Sequence, residues 1–324
     1  MRVRAYRYGG IDFRTTLEWP GFSPLSGGAA EPTAGAGAVE LREDLTLAVG
    51  ARRLEYAWGG RFGLALHAVE RGGWLFTLAS GAEFYATADG EKIACRLGPA
   101  GWSEFTAEGF VRRVLPRLVQ LRGRALFHAA TLATPAGAIM ICGFSGAGKS
   151  TLAASLHQRL GWPILGDDMA VVEATAVPGL VHATGGSVSL WEETRTGLAV
   201  PFARETRLAA YGSKFRCELA GAPVAEGAPL GAIYVLQRSE PDLDPAIAAN
   251  AMEPAARVGQ LDEFAIRFNP ADPRGGVKRF RALVQLANTV PCRRLHYPRR
   301  FEFLPAVAAL LATDVAQCFA LRTP

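Results

Sequence analysis

Sulfur is sparse in this 324-residue chain: five cysteines (Cys95, Cys142, Cys217, Cys292, Cys318) and four methionines. No two cysteines make a C-x-x-C pair and their number is odd. That excludes a zinc-ribbon spacing and speaks against a disulfide framework, so reduced thiols are expected. A secretory h-region is missing behind the basic N-terminus. The longest stretch without formal charge, 125–148, has the length of a bilayer span but contains His128, Pro135 and several glycines. Two buried strands account for it better than a membrane helix. Internal repeats are absent. Charge imbalance is slight, 35 basic against 30 acidic residues, for a net charge of +5. This is not the dense basic footprint of a nucleic-acid binder, and no nucleic-acid partner is expected. It suits an anionic substrate or an anionic membrane surface. The expected location is cytoplasmic, with peripheral contact at the inner face of the membrane left open.

What is present is an apolar content of 49%, that of a globular chain long enough for two domains. Residues 1–25 are rich in aromatics and arginine and read as an amphipathic strand. Ser26–Ala38 is rich in Gly, Ala and Pro and reads as a loop. Its Leu25-Ser26-Gly27-Gly28 is like a transporter-ATPase signature, but it precedes any phosphate loop and is a coincidence. From Arg61 to Leu97, short apolar runs separated by Gly-Gly, Ser-Gly and Asp-Gly predict an antiparallel meander. Phe110–Leu121 follows helical spacing, with Pro116 expected to kink or shorten the helix. Beyond it, strands and helices alternate, and a closing helix over Leu304–Leu321 carries Val307, Leu310, Leu311, Val315 and Phe319 on one side. We therefore expect a β-rich N-terminal region (1–122) and an α/β domain (123–324).

The chemistry is concentrated at Gly143-Phe144-Ser145-Gly146-Ala147-Gly148-Lys149-Ser150, which fits G-x-x-x-x-G-K-[ST] at every fixed position. Such a loop cradles nucleotide phosphates with its backbone N–H groups. Gly143, Ser145, Gly146, Ala147, Gly148, Lys149, Ser150 and Thr151 are the candidate nucleotide-binding residues. Lys149 would reach the β/γ-phosphates and Ser150 would hold Mg²⁺, so ATP (or GTP) and Mg²⁺ are the implied cofactors. The context agrees: the apolar run 138–142 reads as a strand, and 151–160 as a helix with Leu152, Leu156 and Leu160, stopped by Gly161. The helix N-terminus itself favours phosphate. Cys142 reads as a small core residue.

Such a loop needs an acidic partner. Asp167-Asp168 stands 18 residues after Lys149, one helix and one strand on, at the end of Pro163–Gly166. Met169–Val172 is read as continuing that strand. His128 opens the apolar run 129–132, where a histidine is commonly a core residue.

Residues 124–172 resemble the catalytic domain of HPr kinase/phosphorylase and of HPr-kinase-related enzymes. In that family a histidine opens a strand 15 residues before the first loop glycine, as His128 precedes Gly143. The loop reads G-x-S-G-x-G-K-S, and a strand ending in Asp-Asp follows, matched by Asp167 and Asp168 at a spacing one residue longer. The resemblance implies a phosphate-loop core of the HPr kinase/phosphoenolpyruvate carboxykinase type. It implies Asp167 as general base, with His128 tuning or assisting it, and Lys149 as third catalytic residue. Ser150 and Asp168 would be the Mg²⁺ ligands.

The chain departs from that family in having Thr151 where the family has Glu, in lacking an L-E-I-R-G loop near 185–187, and in showing no recognisable regulatory domain. The kinase chemistry therefore carries over, without the HPr substrate or the phosphorylase activity. The expected reaction is γ-phosphoryl transfer from ATP to a hydroxyl, on a protein or peptide serine or on a small molecule or lipid such as ceramide. A nucleotide-hydrolysing switch with water as acceptor is the alternative; a binding module without chemistry and a decarboxylating carboxykinase are further rivals. Arg195, Arg204, Arg207, Lys214 and Arg216 are candidate phosphate-clamp cations. The basic stretch Arg274, Lys278, Arg279 and Arg281 reads as a solvated helix face.

Overall fold

The computed structural model describes residues 3–19, 21–22, 24–25, 39–44, 47–177, 179–198, 200–219, 226–237, 246–269 and 273–320. The expected loop 26–38 and Leu321 lie outside the described residues, as does the side chain of Arg274. The chain forms two compact units.

The first unit comprises Met1–Arg124 together with Ala209–Tyr211 and Arg267–Gly276. Its strands are β1 (Arg4–Tyr8), β2 (Ile11–Thr15), β3 (Val39–Glu43), β4 (Arg52–Trp58), β5 (Leu64–Val69), β6 (Trp74–Leu78), β7 (Glu83–Ala86) and β8 (Lys92–Arg96). They make one sheet in the order β1-β2-β3-β8-β7-β6-β5-β4. β5 to β8 form the antiparallel meander that the turn residues predict, and β4, ahead of the predicted stretch, adds to it antiparallel to β5. β3 runs parallel to both its neighbours. The N-terminal aromatics point inward: Tyr6, Tyr8 and Phe13 are buried, and Tyr6 stacks on Trp19 at 4.9 Å between centroids. They form part of the core of this unit.

Helices α1 (Glu104–Gly109) and α2 (Leu115–Leu121) are joined by a π-helical turn, Phe110–Val114. This modifies the expectation at Pro116. The wider turn, closed by Leu115 N–H on the Phe110 carbonyl, precedes the proline and absorbs its missing donor and ring bulk. Tyr211 meets Phe62 edge-on, and Phe268 meets Trp74 and Phe76 in the same way, so two late segments of the chain complete this core.

The second unit holds β9 (Ala125–Phe127), β10 (Ala129–Thr134), β11 (Gly137–Cys142), α3 (Lys149–Leu160), β12 (Ile164–Gly166), β13 (Ala170–Glu173) and β14 (Leu180–His182). Next come β15 (Ser187–Trp191), α4 (Glu192–Leu198), β16 (Phe202–Arg207), β17 (Lys214–Leu219), β18 (Gly227–Leu236), β19 (Ala248–Ala251), α5 (Pro254–Phe264), α6 (Pro273–Thr289, counted in this unit from Val277), β20 (Cys292–His296) and α7 (Leu304–Ala320). The main sheet runs β12-β10-β11-β18-β14-β13-β9, with β20 also on β18 and β19 on β20. β11, β18 and β20 are parallel. Strands β15, β17 and β16 form a small separate sheet.

Alternation along the buried strands divides the core in two. Ile139, Ile141, Ala232 and Tyr234 face α3 and α7 through Leu152, Leu156, Val307, Leu311 and Val315. Ala138, Met140, Cys142, Ile233 and Val235 face α5 and α6 through Leu261, Phe264, Leu283 and Leu286. The architecture is therefore mixed α/β. Leu310 and Phe319 are only partly buried. Residues 301–320 have the length and mean hydropathy, 1.6, of a membrane span. Here they pack one face of α7 into this core.

Residues 169–172 do not continue β12. The chain turns at Asp168, and β13 pairs with β14 and β9, whereas β12 pairs with β10. Both strands were legible as apolar runs; the partners of each depend on distant sequence.

Candidate active site

β11 delivers the glycine loop from the middle of the sheet to the start of α3. Two turns of the loop need glycine: Gly146 at φ 75° and Gly148, the N-cap of α3, at φ 95°. At Gly143 the space is tight: an added Cβ would lie 3.1 Å from Ala147 Cβ and 3.2 Å from Leu236 Cβ. The Ala147 N–H donates to the Phe144 carbonyl across the loop. Phe144 is exposed, and its ring meets Phe264 edge-on. Ser145 and Gly146 are exposed; Ala147, Gly148, Ser150 and Thr151 are half-buried. Lys149 is buried and donates to the carbonyls of Gly143 (2.8 Å) and Phe144 (3.1 Å). Burial pulls its pKa down, and Asp168 and Asp167 oppose that pull.

The acid pair arrives at the same place. Ser150 Oγ donates to Asp167 Oδ1 at 2.8 Å, and the Ser189 backbone N–H donates to Asp167 Oδ2 at 2.8 Å. Burial raises the Asp167 carboxyl from an ordinary 3.8 to about 6; the negative charge of Asp168 adds to this and the two hydrogen bonds oppose it.

Asp168 faces a different set of groups. Its Oδ2 lies 3.6 Å from Lys214 Nζ, and its Oδ1 lies 4.0 Å from His128 Nε2. It is the one non-glycine residue among those described with positive φ, 63°. Aspartate tolerates that left-handed conformation better than most residues, and strained backbone concentrates at functional sites. The bend has a strap. Thr184 Oγ1 donates to the Met169 carbonyl at 2.9 Å, and Thr184 N–H donates to the Leu165 carbonyl. Gly166 fits under it because a Cβ there would fall 2.1 Å from Thr184 Oγ1.

Of the residues singled out from the sequence, the glycine loop with Lys149 and Ser150, Asp167, Asp168 and His128 converge on one end of β11 and β12, but with one change of partner. His128 lies against Asp168, not Asp167. The two carboxylates have different contact partners, with Asp168 at a left-handed turn, which a straight reading of 163–172 misses. Of the candidate cations, Lys214 joins the site. Arg195 and Arg207 are engaged by Glu205 and Glu192, Arg204 is exposed, and Arg216 is buried in β17. Arg279 pairs with Asp262, while Lys278 and Arg281 are exposed. Cys142 is a core thiol whose pKa burial pushes up, away from reactivity.

Three contributions were not read from the sequence: the Ser189 N–H, the Thr184 strap, and Arg299, whose guanidinium donates to the Gly146 carbonyl. Each comes from a segment remote in sequence; the only signal available was the choice of residue type.

The donor set fits Mg²⁺. Ser150 Oγ and the Asp167 carboxylate are hard oxygens already side by side, and magnesium is typically held by one or two carboxylates together with substrate phosphates. Among the described residues no group of three or more His, Cys, Asp or Glu is assembled for a metal.

No family model matches the sequence, and no curated protein matches it. Among solved structures, the HPr(Ser) kinase/phosphatase from Coxiella burnetii aligns with 59% of this chain and 97% of its own, at 11% identity and a TM-score of 0.31. A likeness that slight carries no argument about the site.

Proposed function

We propose that this chain is an ATP- and Mg²⁺-dependent kinase that transfers the γ-phosphoryl group to a hydroxyl acceptor. The observation that carries the reading is the link between loop and acids: Ser150 bonded to Asp167, with His128 and Lys214 gathered on the neighbouring Asp168. Bound Mg²⁺ would neutralise phosphate charge and orient the γ-phosphate.

The roles of the two acids follow from their partners. Asp167 stands with Ser150, the loop hydroxyl, and both its oxygens are occupied by donors. We assign it to the metal side. Asp168 is the better base: its side chain is 29% exposed, within reach of an incoming acceptor, and has an imidazole beside it. This reverses the assignment that the resemblance implies. Asp168 accepts the acceptor's hydroxyl proton, and His128 orients the carboxylate. Lys149 leaves its loop carbonyls for the phosphates, and Lys214 compensates charge on the acceptor side. Most of the rate then comes from positioning and charge neutralisation.

The test is incubation with γ-³²P-labelled ATP and cell extract, separated into protein, lipid, small-molecule and inorganic-phosphate fractions. Label in any organic fraction, lost in Asp168→Asn, supports the reading. Label only in inorganic phosphate assigns water as acceptor and the hydrolytic switch instead.

A further inference from the structure

The parallel strands β11, β18 and β20 end at one edge of the sheet, where open α/β sheets present ligands. β11 leads into the glycine loop. β20 leads into Tyr297-Pro298-Arg299-Arg300. Tyr297 and Pro298 are buried, and a Cβ on Gly148 would lie 3.6 Å from the Tyr297 hydroxyl, so this turn lies against the loop. The Arg300 N–H closes the turn on the Pro298 carbonyl at 2.8 Å.

Its two arginines are used differently. Arg300 pairs with Glu302 at 3.2 Å and lies over the Phe303 ring. Arg299, two residues past the anchored Tyr297, reaches back to the loop and donates to the Gly146 carbonyl. A guanidinium has five N–H donors in a planar fork. One hydrogen bond to an exposed glycine carbonyl uses little of that capacity. Beside it stand the α3 N-terminus and Lys149, the groups that would meet a polyphosphate in the loop.

We propose that Arg299 is the cis-acting arginine of the site, resting on the Gly146 carbonyl and turning onto the phosphoryl group in transit. There it stabilises the charge that develops as the bond from the γ-phosphorus to the bridging oxygen breaks and its electron pair stays on ADP. Meanwhile the acceptor oxygen bonds to phosphorus and its proton passes to Asp168. The inference rests on the kinase reading above.

The test needs no acceptor. Binding of Mg-ADP, and of Mg-ADP with aluminium fluoride as a mimic of the transferring group, is measured calorimetrically for the wild type, Arg299→Ala, Arg299→Lys and Arg300→Ala. Arg299→Ala is expected to keep its affinity for ADP and lose most of the tightening that fluoride brings. Arg299→Lys should recover part of it, and Arg300→Ala should match the wild type. In turnover, arginines of this kind contribute about 10³-fold or more to kcat. An Arg299→Ala protein that gains as much from fluoride as the wild type overturns the role of Arg299 and leaves the nucleotide site standing. So does a wild type that binds ADP yet gains nothing from fluoride. A wild type that binds no ADP overturns the kinase reading, and this inference with it.

Discussion

Replacing Asp167 with asparagine should make the protein more stable in the absence of nucleotide and metal, and only above mildly acidic pH. In the folded chain the carboxyl keeps its proton up to about pH 6, against an ordinary 3.8, because burial and the charge of Asp168 disfavour the anion. The folded state therefore binds more protons than the unfolded state between those values. Stability falls as pH rises through that window, and the loss is complete above about pH 6. At about 1.4 kcal/mol per pH unit, the gap between 3.8 and about 6 corresponds to about 3 kcal/mol. Solvent reaches part of the residue, which reduces this to about 1–3 kcal/mol. Asparagine keeps both contacts: its carbonyl can accept from Ser189 N–H, and its amide can donate to Ser150 Oγ. Thermal melts of the two proteins from pH 4 to pH 8 are the assay. The variant should melt several degrees higher at pH 8, and the gap should close towards pH 4. A pH-independent difference, or a less stable variant at pH 8, refutes the reasoning. Added Mg-ATP should narrow the gap, since it favours the charged carboxylate.

Further outcomes follow from the same geometry. Asp168→Asn should abolish label transfer while nucleotide binding persists, because asparagine tolerates the left-handed backbone; Lys149→Ala should weaken both, as filter binding with labelled ATP would report. Gly166→Ala should cost about 1–3 kcal/mol in urea unfolding, since its Cβ would collide with Thr184 Oγ1 and the Met169 carbonyl. Behind the sheet, Tyr234 donates to Asp314 at 2.7 Å, and Arg293 pairs with the same carboxylate at 3.3 Å. Asp314→Ala, which leaves Arg293 with its Cys318 contact alone and Tyr234 without its acceptor, should therefore cost about 3–5 kcal/mol. Tyr234→Phe, which removes one charge-assisted hydrogen bond, should cost about 1.5–3 kcal/mol, both read from thermal melts.

What could be read from the sequence was what is local. The glycine loop, its strand and its helix are contiguous, so periodicity and glycine placement declare them. Asp167 and Asp168 follow within one helix and one strand, so their return to the loop could be anticipated. Which of them meets His128 could not, because that depends on a single left-handed residue and on the strap supplied by Thr184. β13 looked like more of β12 because both are apolar; hydrogen-bonding partners, which amino-acid type does not encode, separate them. Arg299 was one of many arginines. Only the pairing of β18 with β20 brings it to residues about 150 positions earlier.

The first unit is not continuous in sequence, and this bears on any attempt to produce the halves separately. A fragment ending at Arg124 would lose Tyr211 and Phe268, leaving the ring faces of Phe62, Trp74 and Phe76 wet. The complementary fragment would carry those two aromatics with nothing to cover them. Both pieces would expose sticky apolar surface, so expression trials should keep the chain whole.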